Sequence, residues 1–381
     1  MKDRDIPKSA KVVLIYVLAI LLEFTIVNAY LASTLTISSG IYPGAPSYTF
    51  FKEGSTYYAK DVYGEIRFSG TNASYVFNTA LDSLPNGGSF YVSPGDYTLT
   101  HSIVIKYHHV TIYGAGDSSH LETANDIPII KTAWYVWRIQ IKDLFLEGPR
   151  DLGTGIELFS TQHATVERNT IQRFNYGIYV WGNSANQSLG NFITSNYLSD
   201  NEMCHVMLAA YSSDTLIENN IIGGSLDIGD GMIASGSPVT KVNNNHFWGI
   251  TTGVYFYRSD RSEANDNFFD NPTGSAIWVQ EQAGGAGTNA RTVIANNIIK
   301  QASHGASGVS SSILITNSTN VLVDGNYVYG GEDKYGLEED SLSDYNMVIA
   351  SSFRESVTAG IHKSGANTKV NLCWNGTNWI P

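Results

Sequence analysis

The sequence predicts an all-β fold, a single-stranded right-handed parallel β-helix preceded by an N-terminal hydrophobic helix. Three observations point there. An Asn recurs in the same phase in seven short segments, spaced by 22–30 residues. A short apolar-polar strand pattern recurs between them in a second fixed register. The composition is that of a β-protein with polar turns: 15% charged residues and 36 glycines, where about a quarter charged is usual.

The segments VERNTI, ITSNYL, IENNII, VNNNHF, ANDNFF, IANNII and VDGNYV carry Asn169, Asn196, Asn220, Asn245, Asn267, Asn297 and Asn326. One turn of a three-sided solenoid needs about this many residues between repeats. Asn tolerates the left-handed backbone of a one-residue corner. Stacked at the strand spacing of about 4.8 Å, the amides can bond to one another along the axis. The seven are therefore expected at one corner, as a ladder.

The second register writes the strands in phase. One column reads Ile156, Ile178, Val206, Met232, Val254, Ile277, and another Leu158, Val180, Leu208, Ala234, Phe256, Val279. Both are wholly apolar, as inward positions must be. No turn can bury this face alone, so neighbours stack into one continuous core. The repeat count predicts about nine turns between residues 100 and 350.

The chain then divides as follows. Residues 1–11 are a basic N-terminus and 12–32 an apolar segment. Residues 33–71 are a linker with entry strands, 33–60 reading as linker. Residues 72–350 form the solenoid, in which 332–344 reads as an exposed loop, and 351–381 a capping hairpin around Asn375-Gly376. The run VVLIYVLAILL at 12–22 follows Lys2, Arg4, Lys8 and Lys11, which directs the body out of the cytoplasm. It reads either as an uncleaved membrane anchor extending to residue 32 or as a signal peptide. Sequons at Asn72, Asn186, Asn317 and Asn375 suit an exported, glycosylated surface protein.

Charge narrows the partners. The formal net charge is −12 with no basic run, which argues against nucleic acid. The two cysteines, Cys204 and Cys373, are no disulfide framework, and Cys204 reads as a buried free thiol. No CxxC or HExxH metal signature occurs.

Residues 72–116 resemble the entrance of the pectate-lyase superfamily. A short helix at 73–84, with Val76, Phe77, Ala80, Leu81 and Leu84 on one face, precedes Gly87, Gly88, Pro94, Gly95 and Tyr97, then Gly114 and Gly116. The later turns resemble that superfamily's generic repeats over roughly 72–350. The resemblance implies a pectin-lyase-like solenoid and a glycan partner. It is silent on reaction, because this fold hosts lyases, hydrolases, epimerases, tailspikes and non-catalytic proteins.

The outward columns are where chemistry is expected. Tyr179, Trp181, Tyr255, Tyr257 and Trp278 form the candidate sugar-binding row, since sugar C–H faces stack on aromatic rings. Tyr255 is expected beside Trp278, and Tyr257 beside Gln280. At the rim, Arg258, Asp260 and Glu281 are candidate catalytic groups. The resemblance implies that Arg can act as the base in lyases of this fold and that Asp can hold calcium; no other cofactor is indicated. Asp230, with Asp227, faintly resembles a polygalacturonase acid, and His304 in SHG the partner histidine. Gly231 stands where the second Asp belongs. His205 and His246 read as packed structural histidines. Two functions stay open: a surface polysaccharide lyase or hydrolase, and a non-catalytic glycan-binding adhesin or envelope protein.

Overall fold

The computed structural model describes residues 44–225, 228–281 and 290–380. The apolar segment 12–32 and Asp227 lie outside the described residues. Among the described residues no helix is long and apolar enough to cross a membrane. The solenoid belongs to one compact unit, Pro46–Asp61 with Glu65–Pro381.

Each turn contributes one strand to a long face, and that face is an eleven-stranded parallel sheet from Ile103–Ile105 to Ala359–His362. The solenoid thus has about eleven turns, not nine. The turns at its two ends carry no ladder Asn, so the repeat count missed them. Inward residues stack in register: Ile156 opposes Ile178, then Val206, Met232, Val254 and Ile277. All six are fully buried. The column continues through Ile313 and Leu337 to Ile361. Removing each such side chain from water contributes about 1.5–3 kcal/mol, and no turn could realise this without its neighbours.

Leu337 corrects the reading of 332–344 as an exposed loop. Tyr335–Glu339 is a strand of the long face, because Gly336-Leu337 repeats the small-then-apolar step of Gly177-Ile178. The acidic residues around it hid that phase. The linker reading of 33–60 also fails from residue 48 onward. Tyr48–Glu53, Thr56–Asp61 and Ile66–Gly70 form an antiparallel meander. Phe50 and Ala59 alternate inward there and are fully buried.

The seven Asn residues lie at one corner and form an unbroken ladder. Each Nδ2 donates to the next Oδ1, from Asn169 to Asn196 at 3.1 Å through to Asn297 and Asn326 at 2.9 Å. Each of the last six Oδ1 atoms also accepts the backbone N–H of the Asn before it. The Leu144 N–H closes one end on Asn169, and Ser351 Oγ closes the other on Asn326. One detail differs from expectation. The left-handed residue is not the ladder Asn but its predecessor: Arg168, Ser195, Asn219, Asn244, Asp266, Asn296 and Gly325, with φ between 53° and 63°. That residue makes the bend, and at the six positions other than Gly325 its side chain is exposed. The ladder Asn, one step on, turns into the interior, where its amide must be paired.

A second buried polar row runs along another corner. Thr132 and Thr161 hydroxyls meet at 2.9 Å, Thr161 N–H donates to Ser188 Oγ, and Ser212 Oγ donates to Ser237 Oγ. The N-terminal end is covered by the helix Ala73–Asp82, capped by Asn72, which accepts the Tyr75 N–H. Phe77 stacks on Phe90 with centroids 4.2 Å apart, and Tyr97 is fully buried. At the C-terminal end Cys373–Trp374 pairs antiparallel with Trp379–Ile380.

Candidate functional site

The alternation that buries Ile178 and Val180 turns Tyr179 and Trp181 outward. The same holds for Tyr255 and Tyr257 around Phe256, and for Trp278 beside Val279. These five side chains share the outer side of the long face, and all are half-buried. Tyr255 stacks on Trp278 at 4.4 Å, and Tyr257 is in register with Gln280. The aromatics do not stand free. The Tyr255 hydroxyl donates to Gln280, and Trp278 Nε1 donates to Thr316 at 2.9 Å. Burial, then Tyr257 and Asp230, push the Tyr255 phenol up to about 12. Trp181 Nε1 likewise donates to Glu157 at 2.9 Å.

Two aromatic groups result. Three strand steps separate Tyr179 from Tyr255, through Met207 and Ile233, or about 14 Å at the strand spacing. The group around Tyr179 is larger than the sequence columns indicated. Phe159 lies 4.2 Å from Trp181, and Trp134 lies 5.6 Å from Phe159. Trp134 is 73% exposed, and Tyr135 and Trp137 are also open to solvent. The run AWYVW at 133–137 was visible in the sequence. It precedes the first ladder Asn, so the phased columns did not reach it.

Arg258, Asp260 and Glu281 come close enough to act on one another, whereas Asp230 stands apart from them. Asp230 opens its strand, whereas Arg258 and Glu281 follow theirs, level with the residue after Ser235. Six residues of extended chain put the two levels about 20 Å apart. A carboxyl pair that cleaves a glycosidic bond needs a separation of about 5–10 Å. Asp230 accepts the Thr252 N–H at 2.9 Å, and burial pushes its carboxyl up despite that bond. His304 stands three strand steps further along and pairs with Glu332 at 3.0 Å.

Asp260 meets two guanidiniums, Arg291 at 2.7 Å and Arg261 at 3.1 Å. That arrangement satisfies an ion pair and leaves little attraction for calcium. Glu281 is buried, at 7% exposure. Its carboxyl is pushed up by burial first and by Asp260 second, while Arg258 pulls it down. His205 is fully buried, with its ring nitrogens at 3.0 and 3.1 Å from the Asp230 and Gly223 carbonyl oxygens. His246 packs on Phe268 at 5.1 Å. Among the described residues one cluster has metal-binding spacing, His120 with Glu122 and Glu147. It lies on a different sheet from the aromatic row.

A protein family described as NosD, periplasmic copper-binding protein, matches residues 122–287, under half of the chain. No curated protein matches by sequence. Among solved structures, the A-module of the Azotobacter vinelandii mannuronan C-5 epimerase AlgE6 is similar over 80% of this chain and 95% of its own, at 15% identity and a TM-score of 0.62. The Agl-KA catalytic domain is similar over 79% of this chain and 66% of its own, at 13% identity and 0.60. A full-length tailspike protein from an Escherichia coli O157:H7 bacteriophage is similar over 76% of this chain and 42% of its own, at 12% identity and 0.59. Likeness at such identities speaks for fold alone. With about eleven parallel turns, the internal Asn ladder and the capped entrance, the chain has the fold of a right-handed parallel β-helix.

Proposed function

We propose that this chain is an exported, polysaccharide-associated β-helix that binds an extended glycan along the outer side of its long face. The observation that carries the reading is the aromatic platform of Trp134, Phe159, Trp181 and Tyr179, with Tyr255 and Trp278 about 14 Å further on. Half-buried and exposed rings in a row suit the repeating C–H faces of a polymer better than one small molecule. The similar epimerase is named for mannuronan, which supports a glycan partner. Export is supported by the apolar segment at 12–32 and by the periplasmic description of the matched family. The remoteness of Asp230 from Glu281 and the pairing of Asp260 with two arginines favour binding without cleavage.

A second reading, slow processing of the glycan, is favoured by Glu281. A carboxyl held above its ordinary range by burial, with Arg258 beside it, is the type of group that acts as a general acid. A glycan array followed by reducing-end and 235-nm absorbance assays separates the readings. Binding without turnover is the expected result, weakened by Trp134→Ala and Trp181→Ala together. No binding across neutral and acidic glycans would refute the proposal. Turnover lost in Glu281→Gln would establish the second reading.

A further inference from the structure

Outside the aromatic face, one side-chain cluster is built unlike an ordinary surface ion pair. His120 and Glu122 sit two residues apart on the strand Val110–Glu122, so both point outward from the same sheet. Glu147 is the neighbour of Glu122 on the next turn. One nitrogen or oxygen of each residue lies within 4.8 Å of the other two. Two ligands of one ion, each at about 2.1 Å, stand at most about 4.2 Å apart. Closing the set around an ion therefore needs side-chain shifts below about 1 Å.

The outer atom of every member is already held. His120 Nδ1 lies 3.0 Å from Asp96 Oδ1. One Glu122 oxygen accepts the Thr98 hydroxyl at 2.7 Å. Glu147 Oε1 accepts Arg173 at 2.6 Å and Gln172 at 3.2 Å. Phe145 stacks on the imidazole at 4.3 Å and fixes the ring plane. What remains is an inner atom on each residue, and the inner histidine atom is the unusual one. His120 Nε2 is buried and has no hydrogen-bond partner. Glu147 Oε2 is only 3.2 Å away, but the direction is wrong for an N–H to reach it. A buried polar atom without a partner is destabilising. Two carboxylates on adjacent turns add mutual repulsion.

We infer that His120, Glu122 and Glu147 form a binding site for a divalent first-row transition-metal ion. Nε2 would ligate as the neutral imidazole, while Asp96 accepts the Nδ1 proton and sets the tautomer, the usual arrangement behind a metal-bound histidine. One imidazole with two carboxylates suits Zn²⁺ or Cu²⁺ better than Ca²⁺, which takes oxygen ligands alone. Arg173 neutralises part of the carboxylate charge from outside and keeps Glu147 Oε2 turned inward. The inference does not depend on the glycan reading, since the site lies on another sheet.

The test is calorimetric titration of the full chain with ZnCl₂ and CuCl₂, with electron paramagnetic resonance of the Cu²⁺ form. One ion per chain is expected, with hyperfine coupling from a single imidazole nitrogen. His120→Ala should abolish both binding and the nitrogen signal. Asp96→Asn should weaken binding by about 10–100-fold, the usual cost of an outer-shell change. Circular dichroism of each variant checks that it is folded, and Glu122→Gln gives a second, milder disruption. Stoichiometric binding that survives His120→Ala, or no binding at millimolar metal, would overturn the assignment.

Discussion

Asn245→Ala tests the ladder at its middle. Asn245 Oδ1 accepts from the Asn220 N–H and the Asn220 amide, both at 3.0 Å. Its Nδ2 donates to Ile217 O, Asn243 O and Asn267 Oδ1 at 3.0–3.1 Å. Alanine leaves the Asn220 N–H buried and unpaired, costing about 1–3 kcal/mol, and removes further bonds worth about 1 kcal/mol together. The expected loss is about 3 kcal/mol. Asn245→Asp has nearly the same shape and should be worse at pH 7. It keeps an acceptor for Asn220 but points a carboxylate oxygen at three other oxygens. Burial among acceptors raises the folded-state pKa of that new carboxyl. Its stability contribution is therefore present below the unfolded value of about 4 and lost as pH rises through the folded value. Urea unfolding by circular dichroism and tryptophan fluorescence, at pH 7 and pH 4, measures both effects. An Asn245→Ala loss under about 0.5 kcal/mol, or an Asp variant as stable as the Ala variant at pH 7, would refute the reasoning.

Other outcomes follow from the same packing. Burial pushes the thiols of Cys204 and Cys373 up, so a thiol reagent should label neither in the folded chain and both after unfolding. Gly253→Ala should destabilise strongly, because a Cβ would run into Ala276 O and the Phe269 ring; a thermal melt against wild type measures the loss, and an unchanged melting temperature would contradict the packing. Asp230, raised by burial, contributes stability that is present below the unfolded carboxyl value and lost as pH rises through the folded one. Asp230→Asn should therefore melt higher than wild type at pH 7, with the gap closing near pH 4; a lower melting temperature at pH 7 contradicts this. Tyr255→Ala with Trp278→Ala should lower the melting temperature measurably, since the pair stacks and hydrogen-bonds rather than standing free; an unchanged melt would contradict that packing.

The repeating part of the fold was legible because its physics repeats. Inward Ile178 must look like Val206 and Met232, and Asn196 like Asn220, since each is the environment of the next. What escaped was singular. The meander around Phe50 has no counterpart among the other described residues, and the row from Thr161 to Ser237 uses residue types too common to stand out. The candidate site was legible as a row of aromatics but not as a set of contacts. Alternation says that Trp278 faces out; it does not say that Thr316 takes its N–H. Nor could sequence bring His120 toward Glu147, because that pairing crosses a turn before the ladder begins.

The left-handed corner has a consequence for how the rod could be tuned. The bending position is filled by Arg168, Ser195, Asp266, Ala350 and Leu372 as well as by Asn and Gly, at φ of 48–58° for these five. An ordinary side chain there costs about 1–2 kcal/mol. All five point into solvent, so each can be exchanged without disturbing the interior. A solenoid's stability is close to a sum of turn and neighbour terms. Glycine or asparagine at Leu372 would then stiffen the C-terminal end alone, and at Asp266 the middle alone. The corner is a row of independent set-screws along the axis, by which local fraying can be graded without any change to the outer face.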